Sequence, residues 1–171
     1  MMPILRALTA LAAPAGPRSR LSVFYFHRVL AEPDPLLPDE PDARVLEKIF
    51  GWIRSQFRIL DPLEACDRLF DGSLPSRPAV ITFDDGYRDN YTVALPILQR
   101  HGVRAAFFVA TGFLEGGMMF NDRVIEAIRR ASGGLISVPG VNGGATSELP
   151  LRDVADRRVA IDAVLRAIKH L

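Results

Sequence analysis

Cysteine is almost missing from this sequence. Cys66 stands alone among 171 residues, so neither an internal disulfide nor a cysteine-rich metal cluster can form. That leaves the redox compartment undetermined. Histidine is nearly as scarce: His27, His101 and His170 are the only three, and they are widely separated. No apolar run approaches the roughly 20 residues of a membrane-spanning helix. Neither charge dominates, with 21 Lys and Arg against 20 Asp and Glu, which removes the electrostatic case for a nucleic-acid partner. There is no internal repeat. What remains is a chain with 49% apolar residues, long enough for one domain with a real core.

The first 20 residues read as a separate amphipathic segment. Ile4, Leu5, Leu8 and Leu11 recur at helical spacing. Ala10-Leu11-Ala12 would be a tolerable signal-peptidase site, but Arg6 interrupts the apolar stretch that a secretory signal needs. The spacing suits a short helix over residues 3–13, packed on the domain or making weak contact with a membrane surface. The Pro- and Gly-rich residues 13–17 break it.

Residues 21–114 alternate in character. Apolar runs at 21–27, 57–60, 79–83 and 104–110 predict strands. Between them, helices are predicted at 43–55, capped by Asp42 and striped by Leu46, Ile49, Phe50 and Ile53, at 63–71, and at 92–101 with Gly102 as the stop. Strands separated by helices imply βαβ units and a parallel sheet. From residue 115 the pattern turns helical. One helix is predicted at 122–131, capped by Asn121, and another at 151–170, striped by Ile161, Val164, Leu165 and Ile168. Residues 133–150 read as a long loop with a short strand at 135–138.

The informative stretch is Val80-Ile81-Thr82-Phe83-Asp84-Asp85-Gly86-Tyr87. Two carboxylates follow a buried strand, at the end where parallel α/β folds bind ligands. Strand neighbours point to opposite faces, so both acids reach one site only if the chain turns at Asp85, and Gly86 permits that turn. Two adjacent anions repel unless a cation or a shared proton intervenes, and a divalent metal is the simplest resolution. Taken alone, Asp-Asp-Gly is most often a plain turn with a helix cap.

The wider setting decides between these readings. Ala79 to Tyr87, then Leu95-Pro96-Ile97-Leu98, then Ala105 to Thr111, with Tyr25 to Val29 upstream, resembles the polysaccharide deacetylase family, carbohydrate esterase family 4 or NodB-homology domain. The resemblance covers about residues 21–132. It implies an α/β fold, a partial, distorted (β/α) barrel beginning at 21–114, with 115–171 as a helical insertion or extension. It also implies hydrolysis of N-acetyl amide bonds on a glycan, with Asp84 as general base and Asp85 as ligand of a divalent metal such as zinc. His27 and Tyr87 are candidate pocket residues, and Asn90 a candidate sugar contact.

The chain departs from the family pattern in one important respect. The family completes its metal site with a closely spaced histidine pair, and no such pair exists here. A fragment, inactive alone, is therefore expected; a degenerate, non-catalytic glycan-binding or polysaccharide-assembly protein is the alternative. Phosphoryl transfer, another use of an Asp pair, lacks its further Asp and Lys. His101 and His170 are expected to be structural. Cys66 is expected as a small core residue, Trp52 as core or partly exposed packing, and Met118-Met119 as loop packing.

Overall fold

A computed structural model of the chain describes residues 2–138 and 145–168, in two compact units. The first comprises residues 1–33 and 39–110 and carries the parallel sheet; the second comprises residues 34–38 and 111–171.

In the first unit the elements run α1 (Met2–Ala12), β1 (Ser22–Phe26), α2 (Ala43–Gln56), β2 (Arg58–Ile59), α3 (Pro62–Phe70), β3 (Pro78–Phe83), a π-helical turn (Asn90–Ala94), α4 (Leu95–His101) and β4 (Ala106–Phe107). All strand pairs in this sheet are parallel. β1 runs along one edge of β3 in the register Ser22↔Ala79 to Phe26↔Phe83. β2 pairs with the start of β3, and β4 pairs with its end at Thr82↔Ala106 and Phe83↔Phe107. The sheet is thus α/β and parallel as predicted. The described strands form an open sheet and do not close into a barrel.

β3 is buried at every residue, as expected of a central strand covered on both faces. β1 alternates instead. Phe24 and Phe26 pack on the main core, while Val23 and Tyr25 are exposed on the opposite face. Helix α2 starts where Asp42 accepts a hydrogen bond from Val45 N at 2.8 Å, and its Leu46, Phe50 and Ile53 are fully buried. They meet Ile81 and Phe83 of β3, and Ile97 and Leu98 of α4, in one cluster. Three aromatic rings stack across the strand ends: Phe26 on Phe83 at 5.4 Å, and Phe83 on Phe107 at 5.1 Å. They fix the far ends of β1, β3 and β4 together.

The helix before β4 opens with a widened turn, for which Pro96 supplies the reason. Its ring has no N–H to give the carbonyl of Thr92 and crowds that carbonyl. The backbone adjusts one turn earlier, where Leu95 N donates to Asn90 O, five residues back.

In the second unit, α5 (Phe120–Arg130), a hairpin of β5 (Leu135–Val138) with β6 (Ser147–Pro150), and α6 (Val154–Ile168) surround Ile125, Ile128, Leu151, Ala160 and Ile161. Arg157 of α6 donates to the carbonyls of Ile128, Arg129 and Ala131, closing the open C-terminal end of α5.

Several expectations need correcting. Asn121 is not a cap: α5 begins one residue before it, and Met119 holds the cap position without a side-chain bond. Residues 147–150 are a strand rather than loop, because the bonded hairpin partner outweighs the terminal Pro150. Cys66 is exposed, since the buried side of α3 is carried by Ala65. The strands predicted at 57–60 and 104–110 shrink to two residues each, because they pair only with opposite ends of β3. Phe107, Phe108 and Val109 are left exposed. Trp52 is partly exposed, edge-on to Phe24. The apolar residues of α1, Ile4, Leu5, Leu8 and Leu11, all face solvent. His170 lies outside the described residues.

Candidate functional site

Asp84 and Asp85 leave β3 at the rim formed by the C-terminal ends of the parallel strands. The ladder continues past the strand: Asp84 N donates to Phe26 O at 2.8 Å, and Ala110 N donates to Asp85 O at 3.3 Å. The acids are therefore tied on one side to the end of β1 and on the other to the segment after β4.

The turn itself is sharper than the sequence suggests. Asp85, not only Gly86, adopts a left-handed backbone, with φ of 71° and 72° respectively. Asp is among the few residues with a side chain that tolerate this region, and such strained residues cluster at functional sites. Gly86 is required for a second reason. A Cβ there would sit 2.8 Å from Val109 Cγ1 and 3.2 Å from Val109 Cα.

Alternation along β3 puts Asp84 on the face of Val80 and Thr82. In the parallel register that is the face on which β1 carries Val23 and Tyr25, and His27 next. The Tyr25 and His27 rings meet edge to face at 5.8 Å on that side. His27 is exposed, and both acids are half-buried. Among the described residues, neither carboxylate has a hydrogen bond or an ion pair. Tyr87 is half-buried, with the Arg28 guanidinium 4.8 Å above its ring.

Two residues behind the acids were not anticipated in their actual role. Asp89 accepts from Val29 N through Oδ1 and from Arg28 Nε through Oδ2, both at 3.2 Å. Asn90 is 3% exposed, and its amide, oriented by its neighbours, donates to His27 O at 2.9 Å and to Asp89 Oδ1 at 3.3 Å. Asn90 is thus spent on backbone and cannot be a sugar contact. No local sequence signal marks these bonds, because their partners lie some sixty residues upstream. His101, as predicted, ends α4. Its Nε2 lies 2.8 Å from Glu47 Oε2, and Gly102 follows in the left-handed cap conformation.

A zinc-type centre takes three protein ligands and keeps a water position open. Among the described residues no group of three His, Cys, Asp or Glu side chains is placed to hold a metal. The residues described here do not complete such a centre.

The fold and this rim define an α/β protein with paired acids at the ligand-binding end of a parallel sheet. Residues 71–132 match the family model described as polysaccharide deacetylase. That segment, which contains both acids, is similar to the polysaccharide deacetylase family. The chain is similar to YxkH of Bacillus subtilis (strain 168), named as a polysaccharide deacetylase, with 31% identity over 93 residues, 53% of this chain and 32% of YxkH. Among solved structures it is similar to IcaB from Ammonifex degensii, at 27% identity over 68% of this chain and 50% of that one, TM-score 0.49. A de-N-acetylase from Aggregatibacter actinomycetemcomitans matches at 19% identity over 78% and 64%, TM-score 0.50. The Streptococcus pyogenes deacetylase PplD, solved with acetate, matches at 21% over 64% and 52%, TM-score 0.47. The likeness to the Aggregatibacter protein is one of fold. The chain spans about a third of the curated relative and between half and two thirds of these structures.

Proposed function

We propose that this chain supplies the acid pair of a hydrolase that removes N-acetyl groups from a polysaccharide or oligosaccharide. The observation that carries the proposal is the Asp84–Asp85 turn. Two half-buried acids, whose carboxylates have no hydrogen bond or ion pair among the described residues, sit at the C-terminal rim of a parallel sheet, inside the segment that matches the deacetylase family. Adjacent unpaired carboxylates favour a bound cation. In this reading Asp85 is one ligand of a divalent metal, whose other ligands come from outside the described residues.

Asp84 acts as general base. It takes the proton of a water whose oxygen attacks the acetamide carbonyl carbon. The C–N bond then breaks, a proton passes to the departing nitrogen, and acetate and a sugar amine remain. His27 and Tyr87 border the pocket. Residues 21–114 form the opening part of a distorted (β/α) barrel, with 115–171 as an insertion or extension, and this polypeptide alone has little activity. The exposed apolar residues of α1 suit weak contact with a membrane surface.

The test is acetate release from N-acetylglucosamine oligomers by the full-length protein with zinc or cobalt, against Asp84→Asn. Metal-dependent release that disappears in the variant supports the proposal. Glycan binding without release would favour a non-catalytic glycan-binding protein instead.

A further inference from the structure

The loop that follows β1 is held by side chains of the segment just past the acids. Residues 27–29 receive three successive ties. Asn90 takes the carbonyl of His27, Asp89 takes the Arg28 guanidinium, and Asp89 also takes the amide of Val29. Val29 is fully buried and Asn90 nearly so, which shelters the ties at either end of the stretch, while the Arg28–Asp89 pair between them is partly exposed. Asp89 stands in the first turn of this helical segment, where an acid ordinarily serves its own helix's N-terminal amides; its side chain makes no such capping bond. Its carboxylate is given to the neighbouring loop instead. The Arg28 guanidinium, held from one side by Asp89, lies over the Tyr87 ring from the other.

We infer that Asp89 and Asn90 are positioning residues for the proposed active site: they lock the β1–α2 loop, and with it His27, against the Asp84–Asp85 turn. The β1–β3 ladder and the Phe26–Phe83 stack end at Phe26, with the bond from Asp84 N to Phe26 O as the last rung. His27 follows Phe26 directly, and the next backbone anchor is Leu30, bonded to Pro41 and Ala43, so Asp89 and Asn90 hold the stretch 27–29 between these two points. The inference rests on the deacetylase reading for its catalytic consequence. Its structural half stands apart from that reading.

The experiment uses Asp89→Ala, Asp89→Asn and Asn90→Ala in the full-length protein. Asp89→Asn keeps an oxygen for Val29 N but loses the charge that holds Arg28. Amide hydrogen exchange is followed at residues 27–30 and at β3 as an internal control. Locking predicts that exchange at 27–30 rises at least tenfold in Asp89→Ala while β3 stays protected, with partial recovery in Asp89→Asn. Displacement of a reacting group by about 1 Å can cost up to ~100-fold in rate. Steady-state assays should therefore show kcat lowered tenfold or more in Asp89→Ala and Asn90→Ala, KM changed less than threefold, and Asp89→Asn intermediate.

Unchanged exchange at 27–30, or an equal rise in β3, overturns the locking. A local rise with unchanged kcat overturns the positioning role. A wild-type protein that releases no acetate sinks the deacetylase reading and the catalytic half with it, while the exchange data still decide the locking.

Discussion

Replacing Gly86 with Ala should loosen the turn that carries the acids, and the structure allows its cost to be built from two sources. A left-handed backbone with a Cβ costs about 1–2 kcal/mol. The new methyl would also lie 2.8 Å from Val109 Cγ1 and 3.2 Å from Val109 Cβ and Cα. The first contact can be relieved by a side-chain adjustment, but the backbone contact cannot. Overpacking of this kind costs about 1–3 kcal/mol. The expected loss is thus about 2–5 kcal/mol. Trp52 is the only tryptophan and lies in α2 of the same unit, so its fluorescence in urea reports that unit's unfolding. At a slope of about 2 kcal/mol per molar urea, the midpoint should fall by about 1–2.5 M without a change in slope. Val109→Ala, 48% exposed in the parent, should itself be mild. Added to Gly86→Ala, it should return the part owed to Cγ1 and leave the left-handed backbone cost in place. A Gly86→Ala midpoint within about 0.2 M of wild type, or a double variant no better than the single, would refute this reasoning.

Three further outcomes are expected. Arg157→Met removes the donor to three carbonyls at the end of α5 and should destabilise the second unit by about 1–3 kcal/mol, measured as faster amide exchange in α5; unaltered exchange would contradict the bonding described. Arg100, and next His101, hold the Glu47 carboxyl below its ordinary range. A depressed folded-state value stabilises above the ordinary carboxylate range and is lost as pH falls through the folded value, so below about pH 4 the Trp52-monitored urea midpoint should drop less steeply in Glu47→Gln than in wild type. Parallel pH profiles would count against it. Sedimentation with anionic lipid vesicles should capture the chain weakly, and Leu8→Glu with Leu11→Glu should abolish capture; equal capture of the two proteins would remove α1 from any membrane role.

The parallel sheet was legible in the sequence because βαβ order and continuous apolar strands are local patterns. So were the Asp42 cap, the Leu46–Ile53 stripe and the Gly102 stop. Strand length was less legible. Arg104 to Ala110 reads as a long strand, yet the regular register with β3 covers only Ala106 and Phe107, and pairing is not written in one strand's own residues. β6 was hidden because its residues, Ser147 to Pro150, have weak strand preference and depend on β5. At the candidate site, the acid pair was visible as a motif. Its left-handed Asp85 could be argued only as a need for a turn. The roles of Asp89 and Asn90 were out of reach, since they depend on contacts with residues 27–29 that only the folded sheet creates.

The most direct measurement takes wild type, Asp84→Asn and Asp85→Asn of the full-length protein and determines bound divalent metal and acetate release on the same samples. If the two acids share one site with divided duties, Asp84→Asn keeps its metal and loses acetate release, whereas Asp85→Asn loses both. An Asp85→Asn protein that still binds metal and still releases acetate at the wild-type rate would contradict the paired-acid site.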